Sequence, residues 1–183
     1  FDCFGVDTPP QERDPHRILM LHHSLEWKGT REGLAALTRV RTRNPGMEVT
    51  LFGVEAPGAD ELPDWIRFKR LPTRARLRAL YNEAAIFVSP SWAEGWALPP
   101  AEAMQCGCAS VLTDIGGHEY AIHGRTALLS PPKHIDQMAE QIETLMRNNE
   151  LRIRLANAAI EEIAQYTWTR ATSALESFFK AGA

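Results

Sequence analysis

The chain has 183 residues, with 20 Lys or Arg and 23 Asp or Glu, which gives a net charge of −3 when histidine is neutral. A chain of this length can bury one complete hydrophobic core without disulfides or metals. The slightly acidic balance excludes the basic surface that a nucleic-acid partner would need. Three cysteines make an odd number without a C-x2-C pair, so we expect reduced thiols.

Strand-like and helix-like segments alternate along most of the chain. Short apolar runs predict strands over residues 18–22, 49–52, 66–68, 85–89, 110–113 and 127–129. Helical spacing of apolar residues and helix start and stop signals predict helices over residues 28–43, 73–83, 99–106, 135–146, 151–166 and 168–180. This alternation indicates an α/β fold, with a Rossmann-like parallel sheet and helices on both of its faces.

The start of the chain differs in composition from the rest. Pro9, Pro10 and Pro15 stand among charged residues, a composition typical of a linker. We therefore predict a linker over residues 1–15 and one folded domain over residues 16–183. Because the chain begins with Phe1 rather than methionine, we expect it to be part of a longer protein.

Two carboxylates eight positions apart mark residues 89–107 as the candidate site. Glu94 follows the predicted strand 85–89, and Glu102 lies in what we predict to be the first turn of helix 99–106. Open α/β sheets bind ligands outside the carboxyl ends of their strands. There a carboxylate can accept hydrogen bonds from sugar hydroxyls, and a helix N-terminus can donate to a phosphate. The alternative is that Glu102 only stabilises its helix and Glu94 is a solvated loop residue.

The segment EGWALPPAEAMQCGCASVLTDIGGHEYAIHGRTALLSPP, starting at Glu94, resembles the E-x7-E signature region of family-four retaining glycosyltransferases. Shorter matches follow in the family's order: FGVD from Phe4, EWKG from Glu26, LFG from Leu51 and LRALYNEAAIFVSPS from Leu77. The resemblance covers nearly the whole chain. It implies the GT-B fold of two facing Rossmann-like domains, of which this chain would be the C-terminal, donor-binding half. Residues 1–15 would then join it to a missing N-terminal acceptor domain.

The resemblance also implies roles for individual residues. Glu102 corresponds to the glutamate that holds the nucleotide ribose, and Glu94 to the one that contacts the transferred sugar. Lys28 corresponds to the lysine that contacts the donor diphosphate. The backbone N–H groups that would assist it belong to Trp96, Ala97 and Leu98. The implied reaction transfers a sugar from a nucleotide-sugar with retention of anomeric configuration, through an oxocarbenium-like state.

Several positions depart from the family's pattern. His23 stands where an arginine usually precedes the lysine by five residues, and is either a shorter phosphate donor or a strand-end residue without a ligand. Ala97 replaces the second glycine of the E-G-F-G-L turn, so its N–H can bind phosphate only if its φ stays negative. Trp96 in the same turn is either a core residue or a sugar contact. Gly116 and Gly117, from a shortened G-G-x-P-E motif, are expected to bring backbone close to the ligand.

No cofactor and no metal are expected, since the nucleotide-sugar is a substrate. The sequence has no D-x-D motif and no His or Asp cluster with ligand spacing. The glycine-rich signatures of P-loop and nicotinamide-binding proteins are absent too. Two other functions stay open: a nucleotide-sugar-binding module that has lost catalysis, and a non-transferase sugar-nucleotide enzyme such as an epimerase.

The resemblance also implies partners, and the hydropathy of the chain bears on its location. The expected partners are a nucleotide-sugar donor and a carbohydrate, lipid-linked or other acceptor bound through the missing domain. The sequence lacks an apolar run of about 18 residues, the length that a membrane-spanning helix requires. We therefore expect a cytoplasmic protein. Peripheral association with a membrane stays open, although no segment of this sequence predicts it.

Overall fold

The structure is a computed structural model that describes residues 3–58 and 62–181. Within these residues the strands are β1 (Arg17–Leu21), β2 (Glu48–Gly53), β3 (Ile66–Arg70), β4 (Ile86–Ser89), β5 (Ala109–Thr113) and β6 (Ala127–Ser130). The α-helices are α1 (Thr30–Arg43), α2 (Arg74–Glu83), α3 (Leu98–Gln105), α4 (Ile135–Arg147), α5 (Asn149–Ile163) and α6 (Trp168–Ala181). Each predicted element is confirmed, with its ends displaced by at most three residues.

All the strands run parallel in one sheet of order β3-β2-β1-β4-β5-β6. In this doubly wound order the chain moves outward from β1 on one side and from β4 on the other. β1 and β4 are neighbours, with Ile18 opposite Ile86 and Met20 opposite Val88. Such sheets bind ligands beside this switch point, outside the carboxyl ends of the strands. The predicted Rossmann-like fold is confirmed.

Successive residues of the central strands enter two different cores, one on each face of the sheet. On one face Ile18 and Val88 belong to a core shared with α1 and α4. On the other face Leu19 and Phe87 belong to a core shared with α2 and α3. Because both faces are buried, a one-residue slip of a strand would move each of its side chains from one core to the other. The register that places the loops of the site is therefore strongly specified.

The segment predicted as a linker packs onto the domain through the buried side chain of Arg13. Its guanidinium donates to the carbonyl oxygens of Tyr81 (3.0 Å) and Ala84 (2.9 Å) at the end of α2, and to that of Cys106 at the end of α3. It also donates to the Thr8 carbonyl oxygen at 2.7 Å. Helix C-termini carry partial negative charge, which offsets the buried cation. The segment is thus fastened to the two helices that border the second core.

α6 ends the described chain as an exposed amphipathic helix. Its large apolar side chains, including Trp168 and Phe178, lie mostly in solvent. Across the described residues, no helix combines the length and the apolar character that crossing a membrane would demand.

Candidate functional site

Three loops converge at the carboxyl edge of the sheet, following β1, β4 and β5. The first loop carries His23 and Lys28, the second carries Glu94, and the third carries Gly116 and Gly117. Since β1, β4 and β5 are adjacent in the sheet, their loops border a single crevice. The topology therefore assembles residues that are up to about 90 positions apart in the sequence.

Lys28 and Glu94 form an ion pair across this crevice. The Lys28 ammonium nitrogen Nζ lies 2.9 Å from both carboxylate oxygens of Glu94. The two side chains are only 21% and 12% exposed, so water screens the pair less than it screens a surface ion pair. The residues expected to contact the diphosphate and the transferred sugar are thus neighbours, and each satisfies the charge of the other.

Two glycines allow the three loops to touch through their backbones. Gly29 has φ +67°, and a Cβ placed on it would lie 2.1 Å from the carbonyl oxygen of Pro90. Gly117 has φ +84°, and a Cβ placed on it would lie 2.5 Å from the carbonyl oxygen of Gly95. Both positions therefore require glycine. At Gly117 the close approach seen is to the loop that carries Glu94, and its approach to a ligand stays a prediction.

The other glycine of this pair, Gly116, differs from its neighbour. It is exposed, and a Cβ placed on it would have no atom within 4 Å. Its surroundings therefore leave room for a ligand, and Gly116 stays a candidate for the role predicted from the sequence.

His23 follows β1 and is held by the first residue of α1. The Thr30 hydroxyl donates to the His23 carbonyl oxygen (2.9 Å) and accepts from the His23 N–H (3.1 Å). The Leu25 N–H donates to the ring nitrogen Nδ1 of His23 at 3.1 Å. Nδ1 therefore acts as an acceptor in this arrangement, and the ring can donate only through Nε2. The ring of His23 thus offers one N–H donor at this position, whereas the guanidinium of the arginine usual in the family would offer five.

The N-terminus of α3 offers fewer free donors than the sequence predicted. Ala97 is the N-cap and has φ −78°, so the exchange of glycine for alanine causes no strain. Its N–H, however, donates to the Gly117 carbonyl oxygen at 3.2 Å. This donor is thus used by the loop after β5, and phosphate binding by the Ala97 amide stays a prediction. Pro99 and Pro100 have no N–H, whereas the N–H of Leu98 has no partner within the helix and keeps its candidate role.

Trp96 packs inward from the same loop. Its ring centroid lies 5.2 Å from that of Tyr120 and 5.9 Å from that of Tyr166, in contact with the second core. Of the two alternatives for its side chain, the structure supports the core position. The backbone N–H of Trp96 stays a predicted phosphate contact.

Glu102 lies in the second turn of α3, because the helix begins at Leu98 and its first turn holds no acidic residue. The predicted first-turn position is wrong, and the helix N-terminus supports its negative charge less than expected, since that effect fades within one turn. Burial raises the pKa of the Glu102 carboxyl. The Tyr81 hydroxyl, which donates to Oε2 at 3.1 Å, and the Arg74 cation both oppose this rise in pKa.

His118 is a buried side chain near the ion pair to which the sequence analysis gave no role. Neither of its ring nitrogens makes a well-formed hydrogen bond within the described residues. Burial lowers the pKa of His118, while the Thr113 backbone and the carboxylates of Glu94 and Glu119 oppose that shift. His118 directly follows the glycines of the shortened G-G-x-P-E motif, but that motif assigns no role to the residue after them.

The described residues contain no cluster of three or more His, Cys, Asp or Glu side chains that could hold a metal ion. At the crevice the structure brings together the ammonium of Lys28 and the carboxylate of Glu94. Such a set can bind a molecule that carries both negative charge and neighbouring hydroxyls. Metal independence stays a prediction.

Residues 16–148 match the sequence profile of the family Glycosyl transferases group 1. The D-inositol 3-phosphate glycosyltransferase of Pseudarthrobacter chlorophenolicus is 30% identical over 168 residues, covering 84% of this chain. The matched region is 40% of the length of that protein, so the chain spans well under half of this relative.

Two solved structures share the fold. The C-terminal domain of LpcC, a glycosyl transferase group 1 family protein from Francisella tularensis, has a TM-score of 0.73 at 22% identity, covering 87% of this chain and 95% of that one. HepE from Anabaena, in complex with UDP-glucose, has a TM-score of 0.72 at 21% identity, covering 82% of this chain and 44% of that one. The chain therefore belongs to the glycosyl transferases group 1 family and has the fold of the C-terminal domain of GT-B glycosyltransferases.

Proposed function

We propose that this chain is the nucleotide-sugar-binding domain of a retaining glycosyltransferase. The observation that supports this most directly is the contact of Lys28 with Glu94 in the crevice between β1 and β4. In a nucleotide-sugar the transferred sugar is attached directly to the diphosphate. Its recognition therefore calls for a cation and a hydroxyl-binding carboxylate side by side.

Each residue then has a distinct role. Lys28 and the Nε2–H of His23 bind the diphosphate, and Lys28 stabilises the negative charge that develops on it as the leaving group. Glu94 contacts the sugar, where its carboxylate gains most from the positive charge of an oxocarbenium-like transition state. Glu102 binds the ribose. Backbone N–H groups of Trp96 and Leu98 and the open space at Gly116 complete the phosphate site.

The complete reaction is inferred from the resemblance to the family. The departing phosphate oxygen takes the proton of the acceptor hydroxyl, and the anomeric configuration is retained. Transfer requires an acceptor domain, so this chain alone is expected to bind donor without transferring sugar. UDP is the first nucleotide to test, since HepE was crystallised with UDP-glucose. We further predict a carbohydrate, lipid-linked or other acceptor. We also predict that the reaction needs no cofactor and no metal, and that the protein is cytoplasmic or lies peripherally at a membrane.

A binding module without catalysis is the second candidate function, and His23 is the observation in its favour. A neutral N–H donor offsets the charge of a leaving diphosphate less than an arginine does. Ala97, the other departure in the phosphate site, does not favour this alternative, because its φ of −78° suits alanine. Nucleotide binding without sugar transfer by the longer protein would select the binding module, and a changed sugar-nucleotide product would select an epimerase.

Titration calorimetry of this chain with UDP, GDP, ADP and dTDP tests the proposal. Lys28→Met should weaken binding of the preferred diphosphate about tenfold or more, since hydrogen bonds to charged groups contribute roughly 1.5–3 kcal/mol. Lys69→Met is the matched control, because Lys69 is an exposed lysine on β3, away from the crevice. Binding of none of the four diphosphates, or equal losses in the two variants, would contradict the proposed site.

A further inference from the structure

We propose that Tyr81 is a positioning residue for Glu102: its hydroxyl holds one carboxylate oxygen, Oε2, so that Oε1 is presented to the nucleotide ribose. This inference rests on the ribose-binding role of Glu102 in the proposed function. Tyr81 lies on α2 and Glu102 on α3, so the contact joins two helices that border the same core.

Tyr81 is suited to this role because its ring and backbone are both fixed. The side chain is completely buried, and its ring makes edge-to-face contacts with Phe4, Phe52 and Phe87 at centroid distances of 5.7–5.9 Å. Its carbonyl oxygen accepts hydrogen bonds from Arg13 at 3.0 Å and from the Cys108 thiol at 3.0 Å. The hydroxyl therefore stands at a defined place, whereas a glutamate side chain has three rotatable bonds of its own.

The direction of the hydrogen bond is also fixed. Burial, and after it the Glu102 carboxylate, raises the pKa of Tyr81 well above its usual value, so the hydroxyl keeps its proton and donates it. An ionised carboxylate only accepts hydrogen bonds and has about four acceptor sites on its two oxygens. The Tyr81 bond uses one site on Oε2, and no hydrogen bond within the described residues occupies Oε1, whose sites can accept from neighbouring ribose hydroxyls.

The same bond keeps Glu102 in the form that accepts. Burial disfavours the charged carboxylate and raises its pKa, and donation by Tyr81 is the first of the effects that oppose this rise. Without the hydroxyl, the carboxyl would take up a proton at higher pH and lose acceptor capacity there. Tyr81 thus orients Glu102 and also maintains its charge, and both effects favour ribose binding.

The test compares Tyr81→Phe, which keeps the ring and removes the hydroxyl, with Tyr166→Phe and Glu102→Gln. Tyr166 packs on the same core without contacting Glu102, so it controls for loss of a tyrosine hydroxyl. The probes are UDP and 2′,3′-dideoxy-UDP, titrated calorimetrically from pH 5 to pH 8.5. Carboxyl ¹³C NMR of each protein without nucleotide gives the pKa of Glu102 independently.

In Tyr81→Phe we expect the pKa of Glu102 to rise, because the hydroxyl that opposes the effect of burial is gone. The preference for UDP over the dideoxy analogue should fall, and the pH below which UDP binding weakens should move upward. Tyr166→Phe should show neither change. An unaltered Glu102 pKa, or a loss of UDP affinity that is the same at every pH and for both probes, would overturn the inference. If Glu102→Gln itself leaves UDP binding unchanged, the proposed ribose role is wrong, and the NMR result still decides the effect of Tyr81 on Glu102.

Discussion

Neutralising Glu94 should tighten the binding of a bare nucleoside diphosphate, although Glu94 is itself a proposed substrate contact. A diphosphate that binds Lys28 must compete with the carboxylate that already holds the Lys28 ammonium at 2.9 Å. Glu94→Gln keeps the size of the side chain and removes its charge. Lys28 then becomes available to the phosphate without first giving up an ionic partner.

The structure sets the size of the effect. At 2.9 Å the Coulomb attraction is about 6 kcal/mol at an effective dielectric constant of about 20, and about 1.4 kcal/mol in bulk water. The side chains are 21% and 12% exposed, so the pair lies between surface and interior, and desolvation cancels most of the attraction. A net contribution of about 1 kcal/mol is expected from such a pair, which corresponds to about fivefold tighter UDP binding.

The assay is titration calorimetry with UDP and with UDP-glucose. For UDP-glucose the gain at Lys28 should be offset by the lost sugar contact, so the affinity ratio of UDP-glucose to UDP should fall in Glu94→Gln. Glu119→Gln is the matched control, because it removes the same charge from an exposed residue nearby. Weaker UDP binding in Glu94→Gln, or an equal gain in Glu119→Gln, would refute this reasoning.

Three further predictions concern the stability of the folded chain. Gly117→Ala should lower the free energy of unfolding by at least about 2 kcal/mol in urea titration, because alanine is strained at positive φ and would collide with the Gly95 carbonyl; Gly116→Ala should change it by under about 0.5 kcal/mol. Arg13→Met should cost about 2–4 kcal/mol, since three buried carbonyl oxygens lose a charged donor, against little change for the half-exposed Arg17→Met. The lowered pKa of His118 means that its contribution to stability is complete above about pH 6.5 and is lost as the pH falls toward its folded-state pKa. His118→Gln should therefore flatten the decline in unfolding free energy between pH 7 and pH 5, and parallel curves for both proteins would contradict this assignment.

The order of the elements could be predicted because their signals are local. The run Ile86 to Val88 is apolar and β-prone, and Pro99 and Pro100 stand where a helix can begin. The switch point between β1 and β4 then follows from the parallel topology, and with it the meeting of Lys28 with the loop after β4.

The hydrogen-bond partners within the site could not be predicted in the same way. Arg13 and Tyr81 are 68 positions apart, and the proline-rich sequence around Arg13 is typical of exposed segments. Helical spacing makes Tyr81 one more apolar position of α2, and this pattern says nothing about its hydroxyl. The use of the Ala97 N–H by Gly117 depends on how two loops approach each other, which no local spacing encodes.

The contacts of Gly29 with Pro90 and of Gly117 with Gly95 are made by main-chain atoms. At these two contacts the loops meet through peptide groups, which every sequence supplies, at two positions that must lack a side chain. The side chains at the rim of the crevice, such as His23 and any that would replace the hydrogen of Gly116, take no part in holding those two contacts. Under the proposed function, substitutions there would change donor recognition while these two contacts stay the same.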